Sequence, residues 1–228
     1  GIAFYEGTCM RDDITVTEQN LTELFSRVDR CLDILQSNMD GNHSITLSAG
    51  GSSLFDYVIE HFNQVRVNHP DTRLMLRSGA CFFSDHGNIH DRLMRIAKRG
   101  KLGEEMSARI VNAFKPALRL WAEVISKSSD GMAICGLGMR DSSIDQGLPV
   151  PIRLWRDGAI VAGLEASSQT MKLNDQHSFV SVKDVEFKVG DVIEFGIRHP
   201  CTCIDKHNII YSLDANSVVV GAFETFFG

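Results

Sequence analysis

Histidine and cysteine types crowd one stretch of this chain: Ile197-Arg198-His199-Pro200-Cys201-Thr202-Cys203-Ile204-Asp205-Lys206-His207. His199 and Cys201 are two residues apart, and in an extended chain that spacing turns both side chains to one side. An imidazole and a thiolate on one side are a donor pair for zinc, which accepts nitrogen and sulfur alike. Two protein ligands leave positions open for water or substrate, the form of a catalytic rather than a structural site. The competing reading is a surface histidine next to a buried thiol. Cys203 shares the parity of Cys201 and is read as packing, and His207 is the weaker candidate of the four.

A second group lies in glycine-rich turns. Ser48-Ala49-Gly50-Gly51-Ser52-Ser53 and Arg77-Ser78-Gly79-Ala80 each follow an expected strand and precede an expected helix. Glycine lets backbone approach a ligand, and free N–H groups at a helix start favour an anion such as phosphate. A plain tight turn is the alternative. Neither turn continues into the Gly-Lys-Ser/Thr of a P-loop or matches the dinucleotide fingerprint. Just beyond, Ser84-Asp85-His86-Gly87 offers Asp85 and His86 as an acid/base or substrate pair. The alternative there is a capping aspartate with an exposed histidine.

The elements that must position these groups change character along the chain. Ile2 to Tyr5 reads as a buried strand. Val16 to Ser37 reads as a helix, with Leu21, Leu24, Phe25, Val28, Leu32 and Leu35 at spacings of three and four. Thr15 with Glu18 suggests a capping box at its start. Asn42–Ser48 and Arg73–Arg77 read as strands, Ser53–Phe62 and Asn88–Arg99 as helices. This alternation predicts α/β structure with a parallel sheet, a barrel or a doubly wound sheet fitting equally. After residue 115 to 125 the pattern becomes all-β. Strands are expected at Ala117–Ser126, Met132–Gly138, Pro151–Trp155, Ala159–Leu164, Ser178–Val182, Val192–Gly196 and Val218–Phe223, separated by turn signals such as Arg156-Asp157-Gly158.

Bulk properties exclude some classes. The 228 residues are 43% hydrophobic and 23% charged with net charge −6, enough for one large domain or two small ones. The longest basic cluster, Lys98-Arg99-Gly100-Lys101, reads as a helix end, so no nucleic-acid partner is expected. No run of about 18 apolar residues predicts a membrane span, and no signal peptide is visible. The six cysteines include no CxxC pair, and several sit in apolar runs. They read as reduced thiols and place the protein in the cytoplasm. The chain begins at Gly1 rather than Met.

Several segments jointly resemble the D-serine dehydratase / D-threonine aldolase-like family of alanine racemase-type, pyridoxal-phosphate enzymes (fold type III). They are Leu76-Arg77-Ser78-Gly79-Ala80, Asp85-His86-Gly87, Leu120-Trp121-Ala122-Glu123-Val124, Gly136-Leu137-Gly138-Met139-Arg140-Asp141, Gly147-Leu148-Pro149-Val150-Pro151 and His199-Pro200-Cys201. The resemblance implies that residues 1–115 are the C-terminal part of a (β/α)8 TIM barrel, and that residues 116–228 are an all-β C-terminal domain carrying the metal pair. It implies pyridoxal 5'-phosphate held by Tyr5, Gly50, Gly51, Ser52, Gly79 and Ala80, with Arg77 near the pyridine nitrogen. His199 and Cys201 match the zinc pair of D-serine dehydratases. The similar aldolases carry His-x-Asp there and use a harder divalent metal, so the thiol at Cys201 favours zinc and dehydration.

The implied activity is that of a cofactor- and metal-dependent lyase acting on a D-β-hydroxy amino acid. D-threonine aldolase-type cleavage, racemization and non-catalytic pyridoxal-phosphate binding are the alternatives. Cys81, Ser84 and Met139 depart from the family's usual tyrosine, histidine and lysine. The Schiff-base lysine of the family falls upstream of Gly1, and none of the lysines here (Lys98, Lys101, Lys115, Lys127, Lys172, Lys183, Lys188, Lys206) matches it. The expected partners are therefore the missing N-terminal half of the same protein and a second copy in a homodimer.

Overall fold

The computed structural model describes residues 1–39 and 43–227. The chain divides into two compact units, residues 1–82 with 89–114, and residues 83–88 with 115–228. The short segment 83–88 sides with the second unit because its backbone is stitched there. Ala117 N donates to Phe83 O at 2.8 Å and His86 N to Ile197 O at 2.9 Å.

The first unit alternates strand and helix: β1 (Ile2–Ala3), α1 (Ile14–Asn38), β2 (Thr46–Ala49), α2 (Phe55–Asn68), β3 (Arg73–Leu76), α3 (Ala80–Phe83), α4 (Asn88–Arg99) and α5 (Glu104–Ala113). β1, β2 and β3 form a parallel sheet in that order. Three parallel strands with helices between them are what the described residues show, and closure into a barrel is not among them. α1 starts two residues earlier than expected, because Asp13 rather than Thr15 caps it: the Asp13 carboxylate accepts from Thr15 N at 2.8 Å. Its buried Leu21, Val28 and Leu32 follow the helical repeat; Val28 and Leu32 pack with Leu47, Val58 and Phe62, and Leu21 with Cys9, Leu54 and Tyr57. The first strand is shorter than expected, and β2 begins at Thr46; the expected start at Asn42 lies outside the described residues. α5 had no sequence signal as strong as its Gly103 start, whose φ of +82° suits glycine.

The second unit is a seven-stranded antiparallel sheet built from β4 (Arg119–Lys127), β5 (Ala133–Cys135), β6 (Val150–Arg156), β7 (Ala159–Gly163), β8 (Ser168–Leu173), β9 (Ser178–Val182) and β10 (Val192–Gly196). Its order is β7-β6-β10-β4-β5-β9-β8, and it curls so that β6 comes back toward β8. After β10 come α6 (Cys201–Ile204) and a hairpin of β11 (Ile209–Leu213) and β12 (Val219–Glu224). β8 and β11 had gone unread: Ser168-Gln169-Thr170-Met171-Lys172-Leu173 has little apolar alternation, and β11 sits behind the ligand-rich segment.

The inner face of the sheet carries Val124, Ala133, Cys135, Leu154, Leu164, Val180, Ile193 and Phe195, none with more than trace exposure. Two carboxylates are buried with them and both are paired, as burial demands. Glu194 accepts from Arg119 Nε at 3.2 Å and Trp155 Nε1 at 3.0 Å. Asp191 takes both arms of Arg156 at 2.7 and 2.8 Å, and Lys188 N at 2.9 Å. Phe195 is the bulkiest fully buried side chain. Phe195→Ala is expected to destabilise this unit by roughly 3–5 kcal/mol through lost burial and the cavity left, read as a lower urea midpoint at unchanged slope.

Candidate functional site

The three strands of the first unit end in step. Ala3 pairs Ser48, which pairs Met75, and Ala49 pairs Leu76. Tyr5-Glu6-Gly7, Gly50-Gly51-Ser52 and Arg77-Ser78-Gly79-Ala80 therefore all leave the carboxyl edge of the sheet, where parallel α/β folds bind ligands. Arg77 ties that edge together, donating to Ser48 Oγ at 2.7 Å and to Phe4 O at 2.6 Å.

The amides of the first turn are not free, contrary to the expectation for Gly50 and Gly51. Gly50 N donates to Glu6 Oε2 at 3.3 Å, and Gly51 N donates to Glu6 Oε1 in a short contact. Glu6 is fully buried, so an internal carboxylate occupies the anion-accepting amides of this turn. Glycine is required here twice over. Gly50 has φ +112°, and a Cβ on Gly51 would sit 3.0 Å from the Tyr5 ring and 3.1 Å from Glu6 Oε1. Tyr5, largely exposed, thus lies against the turn.

Other donors remain for a phosphate. Arg92 Nη1 on α4 donates to Ser52 Oγ at 2.8 Å, which brings a cation to the turn. A Cβ on Gly79 would meet nothing within 4 Å, so the backbone at Gly79 and Ala80 borders open space. Ser52, Arg92, Gly79 and Ala80 fit a phosphate, whereas Gly50 and Gly51 shape the turn. Arg92 and Glu6 were missed in the sequence because neither has a spacing relation to the glycines they serve.

In the second unit the chain around His199 is not extended. Pro200 has φ −56° and ψ −44°, and Cys201 opens α6. The shared-side argument for the pair, which needs extended backbone, therefore does not apply; proline at the mouth of a helix explains the turn. What fixes His199 is a set of contacts. Its Nδ1 lies 2.5 Å from Asp145 Oδ2, and Thr202 Oγ1 donates to Asp145 Oδ1 at 2.8 Å. Ser143 Oγ donates to His199 O at 3.1 Å. Burial pushes the Asp145 carboxyl up, but the Thr202 hydroxyl and the His199 ring outweigh it and hold the carboxyl below its usual range. An ionised carboxylate only accepts, so Nδ1 carries a proton, and in the neutral ring the lone pair then sits on Nε2.

Nε2 of His199 makes no hydrogen bond among the described residues, and Cys201 is an exposed free thiol. They are the two donors of this segment left uncommitted among the described residues. Among the described residues no group of three or more His, Cys, Asp or Glu side chains is arranged for a metal. Cys203 is buried, its thiol donates to Asp141 O at 3.6 Å, and burial pushes it up to about 11. His207 Nε2 donates to the same carbonyl at 2.8 Å. Asp145 was missed because it stands 54 residues from His199 with no periodic link.

His86 packs on Gly196, where a Cβ would come within 2.2 Å of its ring. Asp85 is buried and its Oδ1 accepts from Gly87 N at 2.9 Å. The segment thus runs beside the end of β10, just before His199. Burial, with Arg119 and Arg198 nearby, brings the His86 ring down to about 4. Its Nδ1 has no hydrogen-bond partner.

Residues 117–213 match the family described as a putative serine dehydratase domain. That segment holds Asp145, His199, Cys201 and Thr202. No curated protein matches the chain. Among solved structures, D-threonine aldolase from Filomicrobium marinum is similar at TM-score 0.63 and 16% identity, over 97% of this chain and 52% of that one. An alanine racemase-like protein from Idiomarina loihiensis is similar at TM-score 0.51 and 12% identity, over 81% of this chain and 56% of that one. D-threo-3-hydroxyaspartate dehydratase from Delftia sp. HT23 gives TM-score 0.43 at 14% identity, over 90% and 77%. The chain spans about half the length of the first two. At these identities the likeness is one of fold, and the fold is alanine racemase-like. Among the described residues no helix is long and apolar enough to cross a membrane.

The depressed His86 gives a pH test. Its folded value lies below the unfolded value of about 6.5, so between about 6.5 and about 4 the unfolded chain binds the extra proton. This contribution to stability is complete above 6.5 and is lost as pH falls toward 4. His86→Gln, which cannot titrate, is expected to flatten the fall of the urea midpoint across that window, with His61 supplying the remainder, since burial lowers its ring as well.

Proposed function

We propose that this chain is the C-terminal part of a pyridoxal-phosphate- and metal-dependent lyase that acts on a D-β-hydroxy amino acid, in the manner of a D-serine dehydratase. The observation that carries this reading is the His199–Asp145 contact within the serine dehydratase-type segment. Metal-binding histidines are commonly held in this way, the second ring nitrogen donating to a carboxylate. His199 Nε2 and the Cys201 thiolate would hold the metal, and the soft sulfur favours zinc over hard cations. Ser52, Gly79 and Ala80 would receive the cofactor phosphate, with Arg92 supplying positive charge.

When bound, the cofactor supplies an electron sink for bond breaking at Cα and the metal supplies a Lewis acid for the β-oxygen. The residues of this chain bind and orient. Asp145 keeps the proton on His199 Nδ1. Glu6 holds the glycine turn in shape. Tyr5 lies over that turn. His86, held neutral by burial, and Asp85 are the candidate acid/base or substrate-contacting pair. The Schiff-base lysine belongs to a segment preceding Gly1, and a cytoplasmic homodimer is part of the same reading. The thiol at Cys201 favours dehydration over the aldolase alternative, which asks for a carboxylate at that position.

With the full-length protein, D-serine is expected to yield pyruvate and ammonia. His199→Ala, or removal of zinc by chelation, is expected to abolish that yield; unchanged turnover without zinc would overturn the metal role. Release of glycine and an aldehyde, or simple inversion of the substrate, would replace the dehydratase reading. Asp145→Ala is expected to weaken zinc binding about 10–100-fold, read by competition with a chromophoric chelator.

A further inference from the structure

Arg198 stands one residue before His199 and is half-buried, yet among the described residues no carboxylate lies within ion-pair distance of it. Among the described residues its side chain makes one hydrogen bond, from Nε to Leu148 O at 3.1 Å. The side chain is threaded past two glycines. A Cβ on Gly87 would lie 2.5 Å from Arg198 Nη1, and one on Gly147, at φ +111°, would lie 2.8 Å from its Cδ. The fold therefore reserves room for this guanidinium while giving its Nη donors no acceptor. Leaving a partly desolvated cation unpaired is costly unless something from outside accepts its protons.

Arg198 lines a cavity of about 430 Å³ within the second unit, a volume usual for small-molecule sites. Glu165 lines the same cavity and forms no ion pair among the described residues. Ser168 and Thr170 also line it, and the hydroxyls of both are buried without a hydrogen-bond partner. The cavity lining thus includes one cation and one carboxylate. A simple anion would use the guanidinium but would meet Glu165 as a like charge. A simple amine would do the reverse. A molecule bearing a carboxylate and an ammonium together satisfies both.

We propose that this cavity binds a free α-amino acid as its zwitterion, the carboxylate on Arg198 and the ammonium at Glu165. A guanidinium meets a carboxylate with two parallel hydrogen bonds, which supplies orientation as well as charge. The site needs neither the cofactor nor the metal, so its failure leaves the lyase reading intact, and the reverse holds as well.

The test uses the full-length protein, stripped of metal and pyridoxal phosphate, titrated with D-serine while the Arg198 Nε–H resonance is followed by NMR. A saturable shift of that resonance is expected. Arg198→Gln and Glu165→Gln are each expected to weaken D-serine binding by calorimetry at least about tenfold, as loss of one partner in a charge pair does. Acetate, which lacks the ammonium, is expected to bind the native chain more weakly than D-serine and to be indifferent to Glu165→Gln or favoured by it. The proposal is overturned if the Arg198 resonance does not shift saturably, if either substitution leaves affinity unchanged, or if acetate binds as tightly as D-serine. The resonance is read on the native chain, so a variant that fails to fold does not decide the matter.

Discussion

An ionised carboxylate on one ring nitrogen decides what the other can do. Asp145 holds His199 Nδ1 at 2.5 Å, and Thr202 steadies the second carboxylate oxygen. The contact puts a proton on Nδ1, so that in the neutral ring Nε2 is the nitrogen left to coordinate. The surroundings reinforce the arrangement. Asp141 O receives the Cys203 thiol and His207 Nε2, while Ser143 Oγ binds His199 O. Residues 141–145 are thus clamped against 199–207, and the two stretches order each other. Cys203 and His207 are used up in that clamp, which leaves His199 and Cys201 as the outward-facing donors of the segment.

The first unit solves a different problem, how to hold a glycine-rich turn open for a ligand without letting it collapse. Glycine costs conformational entropy on ordering, and two consecutive glycines need an anchor. Glu6 provides it from the neighbouring strand end, accepting both amides. A buried carboxylate without a cation is tolerable when amides solvate it. The same contact changes how the turn is to be read. Its glycines answer to Glu6 and to the Tyr5 ring, while Ser52 is engaged by Arg92 and Gly79 borders open space.

Much of this architecture is legible in residue order. The repeat of Leu21, Val28 and Leu32 marks α1, the runs at 178–182 and 192–196 mark β9 and β10 to the residue, and the parallel sheet follows from the strand–turn–helix alternation. Local chemistry was less readable. A capping box at Thr15 loses to Asp13, because the side chain that reaches the first free amides lies one turn position earlier. The parity of His199 and Cys201 assumed a strand, and Pro200 turned it into a helix start. Both errors come from reading spacing without backbone conformation. The carboxylates Glu6 and Asp145 were invisible for another reason. Each acts across 44 or more residues of sequence, and an acidic residue in a loop carries no mark of the group it will meet.

The glycines of the second unit show how far that blindness extends. Gly87 and Gly147 exist beside Arg198, and Gly196 beside His86, because a Cβ at any of them would strike those side chains. Gly87 and Gly196 have no positive φ that would require glycine on backbone grounds. Their constraint is volume, set by residues distant in sequence. Among the described residues, Arg198 Nη groups and His86 Nδ1 have no hydrogen-bond partner. Stability alone favours the opposite, apolar filling with every polar atom satisfied. The unsatisfied atoms near the end of β10 are an exception to that rule in this unit.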